Sequence, residues 1–184
     1  MALSNGKYYP EAAAGNVFIG SMAAAGVAFP ISTGTAATFG LWNTNPDKDA
    51  VLLRLTVGAT SGTIALGTIG MANVQAYQVA TGSNITAFTD GVLGTTIRNA
   101  RLGAGKASTM RFTPSAATVV ASTACLWTGR SIESATPGLG IFECDYDFDG
   151  GLILPYGQFA FLCGSVAQTG LFTCSLTWAE VPVS

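Results

Sequence analysis

Histidine is absent from the 184-residue chain, which carries only 8 basic and 10 acidic side chains. Without histidine there is no Ser-His-Asp triad, no Cys-His pair and no histidine-ligated metal. Serine, threonine and cysteine nucleophiles would have only carboxylates as bases, and no motif of a reaction centre accompanies them. We therefore expect a protein that is not an enzyme and that needs no cofactor.

Charged residues make up 10% of the chain, far below the roughly 25% usual for globular proteins. A free monomer needs a charged, mixed surface to stay soluble. This deficit predicts that much of the surface is buried against sister subunits or a larger assembly. The net charge of −2 argues against nucleic acid as a partner, because such binding needs clustered lysine and arginine.

A good secretory signal and a membrane span are both lacking. Lys7 is the only early positive charge, and the uncharged stretch 17–31 is too short and too rich in alanine and glycine to cross a bilayer. We expect no membrane partner. At this length a single domain is the best expectation, and we divide the chain into an N-terminal arm (1–15) and one β-sandwich domain (16–184).

Strand signals dominate what is present. Short runs of Thr, Val, Ile, Phe and Tyr alternate with Gly, Pro, Asn and Asp, a pattern typical of an all-β sandwich or barrel. The clearest strand is Ala50–Gly58. Strict alternation places two sets of side chains on opposite faces: Val51, Leu53, Leu55 and Val57 on one, and Leu52, Arg54 and Thr56 on the other, partly solvated one.

Two strand-like runs near the C-terminus, Gln158–Val166 and Leu171–Trp178, are separated by the loop 167–170. If that loop closes a hairpin, Cys163 lies opposite Cys174 and the aromatic residues share one face. The predicted inner face consists of Phe159, Phe161, Cys163, Cys174, Leu176 and Trp178. A disulfide between the two cysteines is geometrically open, but assembly in a reducing compartment favours thiols.

Four acidic residues alternate with aromatic or thiol side chains: Glu143, Asp145, Asp147 and Asp149. One interpretation is a half-buried strand with its acids outward. A second is a calcium loop, because Asp145, Asp147 and Asp149 begin a D-x-D-x-D-G ligand set, although Tyr156 stands where the bidentate Glu is required. A third is an acidic stripe that meets basic groups on a partner, since like charges on one face repel.

Every charge between Asp90 and Glu133 is positive. This segment is either a solvated loop or a docking surface for an acidic partner. Tyrosines near the N-terminus add aromatic groups of the kind that concentrate in interfaces. The candidate interface residues are therefore Tyr8, Tyr9, Arg98, Arg101, Lys106 and Arg111.

Three stretches resemble small virion proteins of tailed bacteriophages: FGLWNTNP (39–46), VLLRLTVG (51–58) and the C-terminal run 171–183 with its LTWAEVP. The resemblance implies a jelly-roll-like antiparallel β-sandwich that acts as a capsid decoration (cement) protein. It further implies a homo-oligomer, most simply a trimer, bound to the major capsid protein on the capsid exterior of the virion and assembled in the host cytoplasm.

A carbohydrate- or receptor-binding β-sandwich module of a phage tail fibre or spike is the alternative. It would use exposed aromatic side chains together with Asp145, Asp147 and Asp149 to hold a sugar or calcium.

Overall fold

A computed structural model describes residues 6–22, 25–65, 67–75, 97–103, 105–118, 125–132 and 143–183. These residues form one short helix and ten strands. In chain order they are α1 (Tyr9–Ala14), β1 (Val17–Ser21), β2 (Ala36–Trp42), β3 (Lys48–Ser61), β4 (Gly67–Gln75), β5 (Ile97–Asn99), β6 (Arg111–Thr118), β7 (Cys125–Ile132), β8 (Glu143–Leu154), β9 (Gln158–Gly164) and β10 (Leu171–Pro182).

The strands form two antiparallel five-stranded sheets that pack as a sandwich. Sheet A has the order β5-β1-β10-β3-β8, and sheet B has the order β6-β2-β9-β4-β7. Strands pair from both ends of the chain inward: β1 with β10, β2 with β9, β3 with β8, and β4 with β7. This nested pairing is the connectivity of a jelly roll. The all-β sandwich predicted from the strand pattern is thereby confirmed.

The core between the sheets is built around large aromatic side chains. Trp178 is fully buried and stacks on Phe18 and Phe112, with ring centroids 6.0 and 6.2 Å apart. Burying a side chain of this size contributes roughly 1.5–3 kcal/mol or more. Close packing here requires Gly20, because a Cβ at that position would lie 2.7 Å from the Phe112 ring.

The predicted C-terminal hairpin is wrong. Strands β9 and β10 are consecutive but belong to different sheets, so Cys163 and Cys174 do not face each other. The predicted face is correct for Cys174, Leu176 and Trp178. On β9 it is inverted, because there the core side chains are Ala160 and Leu162. The opposite side of β9 packs in a separate buried cluster that includes Phe159, Phe161 and Cys163.

The physical reason for this error is that β9 is buried on both faces. Every residue from Phe159 to Gly164 is buried, so alternation carries no information about which side faces the other sheet. A hairpin and a crossover between sheets then produce the same sequence pattern.

Strand β3 is confirmed, but its two faces change places part-way along. The registers with β8 and β10 both shift next to Leu53, which marks a β-bulge. Beyond the bulge Leu55 and Val57 face the core as predicted, but before it Leu52 faces the core. Leu53 instead packs on the outer face of sheet A. The prediction for Val51, Leu53 and Leu52 is therefore wrong, since one extra residue reverses the alternation.

The described part of the N-terminal arm lies on the chain's own sheet A. Helix α1 is capped at its C-terminus by Gly15, which adopts the left-handed conformation (φ 77°) that glycine accepts readily. Tyr8 and Ala12 pack on a buried outer cluster formed by Val17, Leu53 and Ala179. The arm thus covers the apolar half of the outer face of sheet A.

Candidate interaction surface

Three of the predicted interface residues line one cavity at the β5 edge of sheet A. Arg98, Arg101 and Lys106 surround a space of about 400 Å³. Arg98 lies on β5, and the other two lie on the segment that turns back from its end. The buried side chains of Phe18 and Ile97 also line this basic cavity, so apolar surface and cations meet in one place.

Two of these cations are held by the end of the N-terminal arm. Arg101 Nη1 donates to the carbonyl of Ala13 at 3.2 Å, and Lys106 Nζ donates to Asn16 Oδ1 at 3.0 Å. Asn99 links β5 to the arm and to Lys106, since its Nδ2 donates to the carbonyls of Gly15 at 2.8 Å and Lys106 at 3.0 Å. Neutral oxygens orient these side chains without cancelling their charge.

Charge pairing distinguishes the three cations of the basic cavity from three others. Within the described part of the chain, the salt bridges use Lys7, Lys48 and Arg54. None of them involves the three cations of the basic cavity, all of which are exposed. A chain with a net charge of −2 therefore presents a local surface of three positive charges that have no carboxylate partner in the described part of the structure.

The remaining interface candidates lie elsewhere. Arg111 begins β6 in sheet B, where its guanidinium stands 5.7 Å from the centre of the Trp42 ring. Tyr8 is half-buried and its hydroxyl donates to Asp147 Oδ1 at 3.3 Å, whereas Tyr9 is exposed. The structure thus brings together Arg98, Arg101 and Lys106 only.

The acidic stripe on β8 meets basic groups from its own chain. Arg54 Nε donates to Asp145 Oδ1 at 2.7 Å, and a second guanidinium nitrogen binds Oδ2. These hydrogen bonds, and then the negative charge of Asp145, raise the pKa of Arg54. Lys7 from the arm pairs with Asp149. Asp145 and Asp149 thus meet basic groups of their own chain, whereas the third interpretation placed such groups on a partner.

The calcium interpretation gains no support from this geometry. Asp147 Oδ1 accepts the backbone N–H of Asp149 at 2.8 Å, and Asp149 adopts a left-handed conformation with φ 57°. In the described residues, no group of three or more carboxylate, thiol or imidazole side chains converges as a metal site would require. The aspartates instead shape the bulge of β8 opposite Leu53.

An apolar cleft opens at the other edge of sheet A, beside β8. It has a volume of about 470 Å³ and includes Leu52, Leu126, Leu152 and Ile153 in its lining. Leu126 and Ile153 are 47% and 53% exposed. Sequence analysis missed this cleft, because it is formed by strands from both sheets that are distant in sequence.

Glu180 is a buried acid that sequence analysis also missed. It is 1% exposed and accepts hydrogen bonds from Ser108 Oγ at 2.6 Å and from Thr109 Oγ1 at 2.7 Å. Lys48 Nζ lies 3.2 Å from its Oε2. This carboxylate anchors the segment that carries the basic cavity to strand β10. Its position in the Leu176-Thr-Trp-Ala-Glu run gave no sign of burial.

The described cysteine side chains are, as expected, buried thiols that form no disulfide: Cys144, Cys163 and Cys174. Cys144 and Cys174 both lie opposite Val57, on the strands that flank β3. Burial, and to a smaller extent the nearby Cys144, raises the pKa of Cys174 well above its ordinary value. These thiols act as small apolar side chains.

Scans against family models, curated proteins and solved structures each returned no match for this chain. Among the described residues, no helix has the length and apolar character needed to cross a bilayer. What the surface does must therefore be inferred from its own charges and shape.

Proposed function

We propose that the protein is a structural subunit of a tailed-bacteriophage virion, a decoration subunit on the capsid exterior that binds the major capsid protein and sister subunits. The observation that carries the proposal is the distribution of charge. Three cations, Lys7, Lys48 and Arg54, are paired with acids of the same chain, whereas the three around the basic cavity form no salt bridge with the described residues. Such a surface fits an acidic region on a neighbouring subunit.

The rest of the outer face of sheet A supports a role in assembly. Outside the area that the arm covers, this face carries small hydroxyl side chains, and Ser21 Oγ lies 3.0 Å from Ser175 Oγ. Thr56 and Thr177 are half-buried on the same face. Hydroxyl groups can hydrogen-bond to a neighbouring subunit without the desolvation penalty of ions. Jelly rolls are common in viral capsid proteins, which is compatible with the proposal.

The proposed mechanism is stabilisation by mass action. A subunit that binds the assembled shell, and not the separated capsid proteins, shifts the equilibrium toward the shell. Several copies around a symmetry axis add avidity without any further chemistry.

Binding to undecorated heads tests this proposal. Heads assembled from the major capsid protein of the same genome would be mixed with the purified protein, sedimented, and examined for bound copies and for resistance to heat. The double variant Arg101→Glu/Lys106→Glu should lose binding, whereas Asp47→Lys, an exposed charge change outside the lining of the basic cavity, should not. Absence of wild-type binding to heads would overturn the proposal.

The arm needs a separate measurement, because it lies on its own sheet. Removal of residues 2–15 tests whether heads contact it, with occupancy compared at equal amounts of folded protein. Undiminished occupancy would remove the arm from the head-binding surface.

A further inference from the structure

Opposite charges stand at the two ends of one row of residues across sheet A. Arg98 on β5 pairs with Ile19, and Ile19 pairs with Thr177. Thr177 pairs with Arg54, which pairs with Asp147 on β8. At about 4.8 Å between strands, the row spans roughly 19 Å. Arg98 and Asp147 are both exposed, and neither forms a salt bridge among the described residues.

A neighbouring row of paired residues runs across sheet A from the basic cavity to the apolar cleft. Asn99 pairs with Phe18, Phe18 with Trp178, Trp178 with Leu52, and Leu52 with Leu152. Asn99 and Phe18 line the basic cavity, while Leu52 and Leu152 line the apolar cleft. The basic cavity and the apolar cleft therefore lie on opposite edges of the sheet, at the same position along the strands.

The β5 edge also carries a protruding apolar side chain. Leu102 is 80% exposed and lies next to Gly103, whose φ of 79° makes a tight turn. Leu102 follows Arg101 and precedes Lys106, so an exposed apolar side chain stands among the cations of the basic cavity and offers apolar area that a partner could bury. The apolar cleft is large enough for it, and its Leu126 and Ile153 are exposed in this molecule.

We infer that the β5 edge of one copy docks against the β8 edge of a second copy, with Leu102 seated in the apolar cleft and Arg98 facing Asp147. The occupant of the cleft is thus another copy of the same chain. Charge complementarity and the shared position of the cavity and the cleft along the strands select this partner, because both contacts form together when one sheet A is placed beside the next.

This contact joins two different surfaces, so it is heterologous. Repetition of such a contact gives a ring when the rotation between copies closes, and a filament when it does not. The inference deepens the proposed function and rests on it for one point only, that the oligomer is the form that decorates heads.

Charge reversal and rescue test the interface. The masses of wild type, Arg98→Glu, Asp147→Lys and the variant with both changes would be measured by light scattering over a range of concentrations. We expect wild type to be oligomeric and each single change to raise the dissociation constant at least ~10-fold, because like charges then face each other. The double variant should recover most of the affinity, and Asp47→Lys should match wild type.

Leu102→Ser provides an independent test, since an exposed leucine can be replaced without disturbing the fold. It should weaken the oligomer about as much as the single charge changes, while circular dichroism and melting temperature stay unchanged. A monomeric wild type, or an oligomer that tolerates all three single changes, would overturn the interface. Wild-type binding to heads in the same preparation shows separately whether the proposed function holds.

Discussion

Ser108 Oγ donates a hydrogen bond of 2.6 Å to Glu180 Oε1, and this contact ties the basic cavity to the middle of the sandwich. Ser108 lines the cavity, while Glu180 lies on β10, a central strand of sheet A. A buried carboxylate with several donors thus holds the edge segment in place. Lys106, two residues before Ser108, therefore lies on a segment that this buried acid fixes.

Replacement of Glu180 by alanine should lower the free energy of unfolding by about 2–4 kcal/mol. The change leaves Ser108 and Thr109 without their acceptor and removes the carboxylate that pairs with Lys48. Glu180→Gln should cost about half as much, because an acceptor oxygen remains. Urea denaturation measures both.

Glu11→Ala is the matched control for Glu180, because Glu11 is exposed and receives one hydrogen bond, from Asn16 Nδ2 at 2.9 Å. Its effect should stay within about 0.5 kcal/mol. Equal losses for the two alanine variants would contradict the anchoring role of Glu180.

Gly105→Ala should destabilise the protein by about 1–3 kcal/mol. A Cβ on Gly105 would overlap the Asn99 side chain, and the amide of Asn99 would lose its bonds to Gly15 and Lys106. At Gly58 a Cβ would only meet Thr173 Oγ1 at 3.7 Å. Gly58→Ala should therefore be neutral or slightly stabilising. Thermal unfolding compares the two, and a lower melting temperature for the Gly58 variant would contradict this account.

The bulge in β3 predicts that the same substitution lowers the free energy of unfolding by different amounts at adjacent residues. Leu52→Ser places a hydroxyl in the core where Leu52 is 0% exposed, and should cost about 3–5 kcal/mol. Val51→Ser should cost about 1 kcal/mol, since Val51 is half-buried beside the arm. Guanidinium denaturation of the two variants distinguishes a bulged β3 from a strand with unbroken alternation. A larger loss at Val51 would support unbroken alternation along β3.

Cys174 should make stability fall at alkaline pH. Its pKa in the folded protein is raised by burial, so between the ordinary thiol value of 9.0 and the raised value the unfolded chain releases a proton that the folded chain retains. This contribution is complete below pH 9 and is lost as pH rises above it. Denaturation from pH 7 to 10 measures the slope, which should be shallower in Cys174→Ala than in wild type.

Cys163→Ala controls for the loss of a buried thiol in a different cluster. Both alanine variants should lose stability at pH 7, and the slope of Cys174→Ala at alkaline pH tests the raised pKa of Cys174. Identical slopes in wild type and Cys174→Ala would show that the folded protein does not retain this proton.

The local sequence pattern was sufficient to predict several features of the molecule. The alternation around Cys174, Leu176 and Trp178 correctly predicted the core face of β10, because one face of that strand is consistently larger and more apolar. The excess of positive charge between Arg98 and Lys106 was also visible in the sequence. Its convergence on one cavity was not, since Phe18, another lining residue, comes from a strand eighty residues earlier.

The arm and the β3 face show where local pattern fails. Tyr8 packs on the outer face of sheet A because Leu53 is turned outward by a bulge. The sequence of β3 contains nothing that marks one of its leucines as an extra residue. Neither the outward side chain of Leu53 nor the position of Tyr8 could therefore be predicted from the sequence.

The sequence by itself determined a β-sandwich with buried thiols and few charges, because alternation, turn residues and composition act over a few neighbouring residues. Tertiary structure alone decided that β9 and β10 lie in different sheets, that Glu180 is buried, and that Arg98 and Asp147 end the same row. Those relationships depend on which strands pair across long stretches of chain. Pairing is selected by the packing of the whole core, and no short segment contains that information.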